Sequence, residues 1–363
     1  MGREYKIISI FIPFLGCPFH CIYCNQPKIT GQKEEIIDAE YVDSLINNSL
    51  KTMPSNSRKE IAFYGGTFTG LPLTYQKELL WIAKKYKDKG DIHAIRISTR
   101  PDFIDNLILT NLKVMGVDTI ELGVQSMSDE VLKESLRGYT SEDVVKSVSL
   151  IKQYSFKLGL QIMFGLPKDN VERMNYTIDK IIDLKPDFVR LYPTLVIRNT
   201  KLEELFLKGE YKPLTLKEAI DICKVAMVKF IKNGIKVIRI GLQASDNINT
   251  GKDIVAGPFH PSFGEMVESS LIFDMLSQTM KAYNINDQKV IIKSNPRMFS
   301  AVIGNKRRNI LKLKELYNID ISLKGQDELD KEQLVIITKD NEIKITKKDF
   351  INNLTLEGIF NLI

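Results

Sequence analysis

Gly16-Cys17-Pro18-Phe19-His20-Cys21-Ile22-Tyr23-Cys24-Asn25 places three of the chain's four cysteines within eight residues, directly after the apolar run Ile7 to Leu15. Spacings of three and two residues let one loop fold round a [4Fe-4S] cluster, with Cys17, Cys21 and Cys24 as thiolate ligands and the fourth iron left without a protein ligand. An open iron of this kind is where redox chemistry on a bound molecule starts.

Three other readings meet the same residues. A charged start, an apolar run and Gly16-Cys17 are the parts of a lipid-attachment box, against which stand Pro13 within the run and the two further cysteines. A structural zinc site needs four ligands; His20 is nearby, but no second CxxC occurs in the chain. A disulfide framework suits small secreted chains, and here four cysteines serve 363 residues with three of them clustered. That usage points to a reducing, cytoplasmic compartment.

The chain is long enough for two or three domains, and 44% apolar with 26% charged residues is ordinary globular composition. The longest apolar runs fall short of the ~18 residues of a spanning helix, so no membrane association is expected. The net charge of +6 is mild, although the basic residues are unevenly placed.

Outward from the cysteines, strands and helices alternate. Strands are expected at Lys6–Phe11, Ile61–Tyr64, Ile92–Ile97, Asp118–Leu122, Lys157–Phe164, Phe188–Tyr192 and Lys236–Ile240. Between them come helices at Asp38–Leu50, Tyr75–Tyr86, Asp102–Met115, Ser141–Tyr154, Val171–Leu184 and Leu216–Asn233. Alternation of this kind predicts a parallel sheet wrapped by helices, here a partial (β/α)6 TIM-like barrel over 1–260 with its site at the C-terminal strand ends. The second strand runs into Gly65-Gly66-Thr67-Phe68-Thr69-Gly70, a turn that lets a ligand approach the backbone closely. Cys223, among Ile222, Val225 and Ala226, reads as a core residue.

CxxxCxxC with an aromatic residue before its third cysteine resembles the signature of the radical S-adenosylmethionine enzymes. The resemblance implies that the amine and carboxylate of S-adenosylmethionine chelate the open iron, and that one electron from the cluster cleaves the sulfonium to a 5'-deoxyadenosyl radical. It implies further that Gly65, Gly66 and Thr67 contact the methionine amino group. Gln125 and Arg137 would then reach the carboxylate and ribose region of the cofactor. Ser98 stands where relatives often carry an acidic residue. The ordered set Ser98–Asp102, Glu121–Ser126, Arg137–Thr140, Met163–Pro167 and Tyr192–Thr200 resembles the radical domain of the Elongator catalytic subunit, over about Lys6 to Gln243. That likeness implies a tRNA-like substrate and an electron donor such as flavodoxin or ferredoxin. The cysteine gap departs from that subunit's longer one, and no acetyl-CoA-binding glycine loop is expected after residue 264, so its acetyltransferase chemistry is not carried over.

The remaining residues, 261–363, are expected to form a helix from Met266 to Tyr283 and a small α+β domain. His260, one of three histidines, precedes that helix as a catalytic candidate and equally as a helix-entry residue. The order of strand Lys289–Ile292, helix Met298–Ile303, Gly304-Asn305-Lys306-Arg307, helix Arg308–Tyr317 and strand Ile319–Leu323 resembles a KH module, with Arg307 in place of the second glycine of its GxxG loop. A hairpin at Leu334–Thr338 and Glu342–Thr346 completes it. Eight basic and no acidic residues between Lys289 and Lys314, Lys306, Arg307 and Arg308 among them, form an electrostatic footprint for RNA phosphate. The expected function is therefore a radical S-adenosylmethionine enzyme modifying RNA. Its alternatives are a porphyrinogen-oxidase-like enzyme of a small molecule and a cluster-containing RNA-binding protein without turnover.

Overall fold

The structure is a computed structural model that describes residues 5–12, 16–25, 37–242, 252–286 and 289–360. Pro13 and Gln243, the expected limit of the likeness, lie outside the described residues. The chain forms two compact units, Met1–Leu214 with Gln243–Phe259, and Thr215–Leu242 with His260–Ile363. This division differs from the expected boundary at 260, because the helix at Leu216 groups with the later residues.

In the first unit six strands lie side by side in chain order: β1 (Tyr5–Ile12), β2 (Arg58–Gly65), β3 (Ala94–Thr99), β4 (Thr119–Gln125), β5 (Lys157–Phe164) and β6 (Phe188–Pro193). Every adjacent pair is parallel, with Ile8 opposite Ile61, Ile61 opposite Ile95, and Leu160 opposite Val189. Alternate residues Ile61, Phe63, Ile95, Ile97, Ile120, Leu122, Leu160 and Ile162 are buried, as a parallel sheet covered by helices requires.

The other alternate set is polar. Arg96 pairs with Glu60 through two hydrogen bonds of 2.9 Å and also with Glu121, and Arg190 Nε lies 2.8 Å from Glu121. Arg190 Nη2 also donates to the Tyr64 hydroxyl at 3.0 Å. Tyr64 is on β2 and Arg190 on β6, four strand spacings away, which in a flat sheet would be about 19 Å. Their contact across the interior shows that the sheet curls into a partial barrel. Burial, then the nearby Glu121 carboxylate, pushes the Tyr64 phenol up to about 12, so it stays protonated at neutral pH.

Side-chain caps mark the start of several of the helices. α1 (Ala39–Thr52) follows Asp38, whose carboxylate accepts from the Tyr41 N–H; α2 covers Leu73–Asp88; α3 (Asn106–Val114) follows Asp105, four residues later than expected. α4 (Asp129–Glu134) was not expected, whereas α5 (Ser141–Gln153) opens with a Thr140/Asp143 capping box and α6 (Val171–Asp183) on Asn170. Two further features escaped the sequence: strand β7 (Val196–Ile197), which pairs antiparallel with β9 (Ile254–Ala256), and helix α7 (Lys201–Leu207).

The second unit is built on α8 (Leu216–Lys232), then β8 (Lys236–Ile240) and α9 (Phe263–Ala282). α8 is buried from Ala219 to Phe230, and Lys224 inside that run is neutralised by Asp274 of α9 at 2.6 Å. Cys223 is fully buried, and burial pushes its thiol up. A mixed sheet follows. β10 (Lys289–Ser294) pairs in parallel with β11 (Asp320–Gly325) and antiparallel with β12 (Gln333–Ile337), which pairs antiparallel with β13 (Glu342–Thr346). α10 (Phe299–Ile303), the turn at Gly304 and α11 (Arg308–Tyr317) form the crossover from β10 to β11.

Candidate cofactor site

The cysteine loop leaves β1 and returns over the C-terminal ends of the strands, where βα loops place ligand-binding groups. Its three cysteines are half-buried and unbridged. Cys17 Sγ lies 3.1 Å from Thr67 Oγ1, which joins the cysteine loop to the glycine turn after β2. That turn is held from below by the Gly66 N–H, which donates to the Ile12 carbonyl at 2.7 Å. Gly65 sits at φ +103°, and a Cβ there would come within 2.8 Å of the same carbonyl oxygen, so the turn needs glycine for its backbone angle and for its clearance.

Arg137 occupies the other side. It is 6% exposed, and four of its five N–H bonds are spent: Nε to the Tyr139 hydroxyl (2.9 Å), Nη1 to Cys21 Sγ and to the Tyr23 hydroxyl (3.1 Å each), and Nη2 to the Gly123 carbonyl (2.7 Å). A guanidinium must be this well satisfied to be buried. Burial, opposed by Arg137, pushes the Tyr139 phenol up to about 12, so it remains a neutral donor. Arg100 stacks 5.1 Å from the Tyr139 ring and 4.8 Å from the Phe19 ring while forking onto Asp102.

The loop is also pinned apolarly. Ile22 is 3% exposed in a cluster with Val196, Leu202 and Tyr211, and its carbonyl accepts from the Leu202 N–H at 2.9 Å. Burying an isoleucine contributes roughly 1.5–3 kcal/mol, so β7 and α7 fix the loop from behind. Cys24 N–H closes a turn onto the Cys21 carbonyl at 3.0 Å.

Gln125 lies where the β4–β5 register slips, at φ +64° and 4% exposed. Its Oε1 is buried with no hydrogen-bond partner among the described residues. A buried amide oxygen left unpaired is costly, and a ligand donor relieves that cost. Cys17, Cys21, Cys24, Gly65, Gly66, Thr67, Gln125 and Arg137 thus all belong to the first unit. Among the described residues no three His, Cys, Asp or Glu side chains converge as the ligands of a single ion. An iron-sulfur cube asks for something else, since each cysteine binds a different iron.

The remaining candidates lie in the second unit. His260 Nδ1 accepts from the Ser262 N–H at 3.1 Å and its carbonyl accepts from the Phe263 N–H at 3.0 Å, the contacts of a helix-entry residue. Its Nε2 is 3.5 Å from Asn305. Lys306, Arg307 and Arg308 are exposed, with Lys306 and Arg307 in left-handed backbone at φ +51° and +63°. Behind them Asn309 donates to the Ser269 and Ala301 carbonyls at 2.9 and 3.2 Å, fixing the turn.

Phe19, Tyr23, Arg100 and Tyr139 acquire roles that the sequence did not assign. The only signal was their place in the cysteine loop and in two strand-end loops, since partners 37 to 114 residues apart in the chain have no local pattern.

Residues 11–181 match the Radical SAM superfamily, and residues 186–272 match the Radical_SAM C-terminal domain. The chain is 32% identical over 196 residues to the tRNA uridine(34) acetyltransferase of Methanocaldococcus jannaschii, which covers 48% of this chain and 36% of that protein. It is 30% identical over 236 residues to Uncharacterized protein MJ0486 of the same organism, covering 60% of this chain and 70% of that one. The structure of archaeal Methanocaldococcus infernus Elp3 with an N-terminal deletion superposes with a TM-score of 0.59 at 25% identity, covering 78% of this chain and 64% of that chain. The chain spans about a third of the length of the acetyltransferase it matches.

Proposed function

Because the chain belongs to the radical S-adenosylmethionine superfamily, we propose that Cys17, Cys21 and Cys24 hold a [4Fe-4S] cluster that receives S-adenosylmethionine, and that the substrate is RNA of the tRNA type. The single observation that carries the cofactor assignment is the convergence of the cysteine loop, Thr67 of the glycine turn and the orphaned Gln125 oxygen at one strand-end face. When bound, the pair of cofactors supplies a 5'-deoxyadenosyl radical on one-electron reduction by a donor of the flavodoxin or ferredoxin class.

The chain's own residues do the rest. Gly65 and Gly66 present backbone without side chains, so the amino-acid end of the cofactor can lie against the turn. Thr67 touches Cys17 and couples that turn to the cluster loop. The Gln125 carbonyl oxygen accepts a donor of the cofactor's ribose or amine.

The RNA reading rests on the likeness to a tRNA uridine(34) acetyltransferase and to an Elp3 structure. It also rests on the exposed Lys306-Arg307-Arg308 turn between two helices, which we assign as a KH-like phosphate clamp.

Anaerobic protein reduced with dithionite should release 5'-deoxyadenosine from S-adenosylmethionine. Absence of that product from cluster-loaded protein would overturn the enzyme reading. Neutralising Lys306, Arg307 and Arg308 together should weaken tRNA binding and flatten the salt dependence of log affinity by roughly 0.7 per lost contact, about 2 in all. An unchanged affinity and slope would remove the RNA assignment in favour of a small-molecule substrate, with cofactor cleavage intact.

A further inference from the structure

Arg96 and Arg190 share Glu121 on the inner side of the barrel, yet they are satisfied very differently. Arg96 engages all three of its guanidinium nitrogens, Nε and Nη2 on Glu60 and Nη1 on Glu121. Arg190 hydrogen-bonds through Nη2 alone, to Tyr64 at 3.0 Å and to Glu121 at 3.1 Å. Its Nε lies 2.8 Å from Glu121 without being aligned to donate, and its Nη1 meets no acceptor among the described residues. The side chain is only 11% exposed, and a guanidinium so enclosed needs acceptors for these N–H groups. Tyr64 adds a second unspent donor. Its hydroxyl accepts from Arg190 and has no acceptor of its own among the described residues, while burial, then Glu121, keeps the phenol protonated. Tyr64 directly precedes Gly65 of the glycine turn, and its ring lies 6.0 Å from that of Phe11.

We propose that Tyr64 and Arg190 form a two-donor site for a neutral carbonyl oxygen, that of a nucleobase of the bound RNA lifted out of its stack into the barrel. The inference rests on the RNA reading above. The acceptor is neutral because the charges here already balance: the guanidiniums of Arg96 and Arg190 oppose the carboxylates of Glu60 and Glu121. A carboxylate or phosphate entering this place would bring an uncompensated charge into a buried environment. A carbonyl oxygen has two lone pairs, which matches one N–H of Arg190 and the O–H of Tyr64. The Tyr64 ring, with Phe11 beside it, offers a flat apolar wall to the base, and a base can reach such a place only once it has left its stack. Uracil, cytosine and guanine carry a carbonyl, whereas adenine has none.

The test is equilibrium binding of fluorescent single-stranded oligoribonucleotides to cluster-loaded, oxidised protein with S-adenosylmethionine present, comparing oligouridylate with oligoadenylate of the same length. The backbones match, so the phosphate contribution cancels. Wild-type protein should prefer oligouridylate by about tenfold, the worth of a good pair of base contacts. Tyr64→Phe keeps the ring and should lose most of that preference with its affinity for oligoadenylate unchanged. Arg190→Lys keeps the charge opposite Glu121, removes the Nη1 donor and should act in the same direction; it also serves if Tyr64→Phe does not hold a cluster. A preference equal to that of the wild type in these variants, or an equal loss of affinity for both oligomers, would overturn the proposal. Wild-type protein that binds both oligomers alike would do so too. Wild-type protein that binds neither would instead overturn the RNA reading on which the proposal rests, so the two failures are distinguishable.

Discussion

Gly16 and Gly70 occupy one van der Waals space: a Cβ on Gly16 would fall 2.9 Å from the Gly70 carbonyl carbon and 2.3 Å from the Thr67 oxygen, and a Cβ on Gly70 would fall 2.2 Å from the Gly16 oxygen. The cysteine loop and the glycine turn are therefore pressed backbone to backbone. Gly70→Ala must push them apart, because the obstructing atoms are backbone and cannot rotate away. The expected result is a stability loss of about 1–3 kcal/mol and cluster content well below that of the wild type, read by iron and sulfide analysis. A variant with full cluster content would show that the contact is not needed for the site.

Cys17, Cys21 and Cys24 are expected to be needed individually for the brown colour and for cofactor cleavage, and each change to Ala should abolish both. Cys223→Ala should keep the cluster, since Cys223 is fully buried in α8 of the second unit. Loss of iron in that variant would overturn the ligand assignment.

Gly66→Val should leave the cluster in place and weaken S-adenosylmethionine binding by tenfold or more, because a branched side chain enters the space where backbone meets ligand. Calorimetric titration of the oxidised holo protein reads this directly. Unchanged affinity in a folded variant would take the glycine turn out of the cofactor site.

Arg96→Leu removes the cation between two nearly inaccessible carboxylates, Glu60 and Glu121, whose side chains are 1% and 4% exposed. Leaving buried charge uncompensated costs about 3–5 kcal/mol, so urea unfolding should show a midpoint well below wild type. A loss under ~1 kcal/mol would mean that the barrel interior is far more hydrated than its burial implies.

Asp169 accepts from the Gly165 and Asn170 N–H groups at 3.1 Å each, and burial raises its carboxyl to about 7. An unfolded aspartate titrates near ~3.9, so the folded form holds the proton more tightly. Its contribution to stability is then fully present below about 4 and is lost as pH rises through about 7. The melting temperature of Asp169→Asn should fall less between pH 5 and pH 8 than that of the wild type. Parallel pH profiles would show that Asp169 ionises freely.

The sequence alone determined the chemistry and most of the barrel. Cys17, Cys21 and Cys24 lie within one loop, and the ligand role proposed for them rests on spacing along the chain. The strands from Tyr5 to Pro193 were legible because β-branched runs alternating with helical periods are local patterns, and the Thr140/Asp143 cap is local too. What lay beyond the sequence is whatever joins residues distant along the chain. The short pieces β7 and α7 carry too few residues for a period, and only their packing on Ile22 gives them a purpose. The charges at Glu60, Arg96, Glu121 and Arg190 look in sequence like solvated strand residues. They face inward because the sheet curls, and each is neutralised by a partner from another strand. Arg137 is the clearest case, since a loop arginine can face solvent, a carboxylate or a sulfur equally well in sequence. Its direction was decided by tertiary structure, through the acceptors at Gly123, Tyr139, Tyr23 and Cys21 that a buried guanidinium must find.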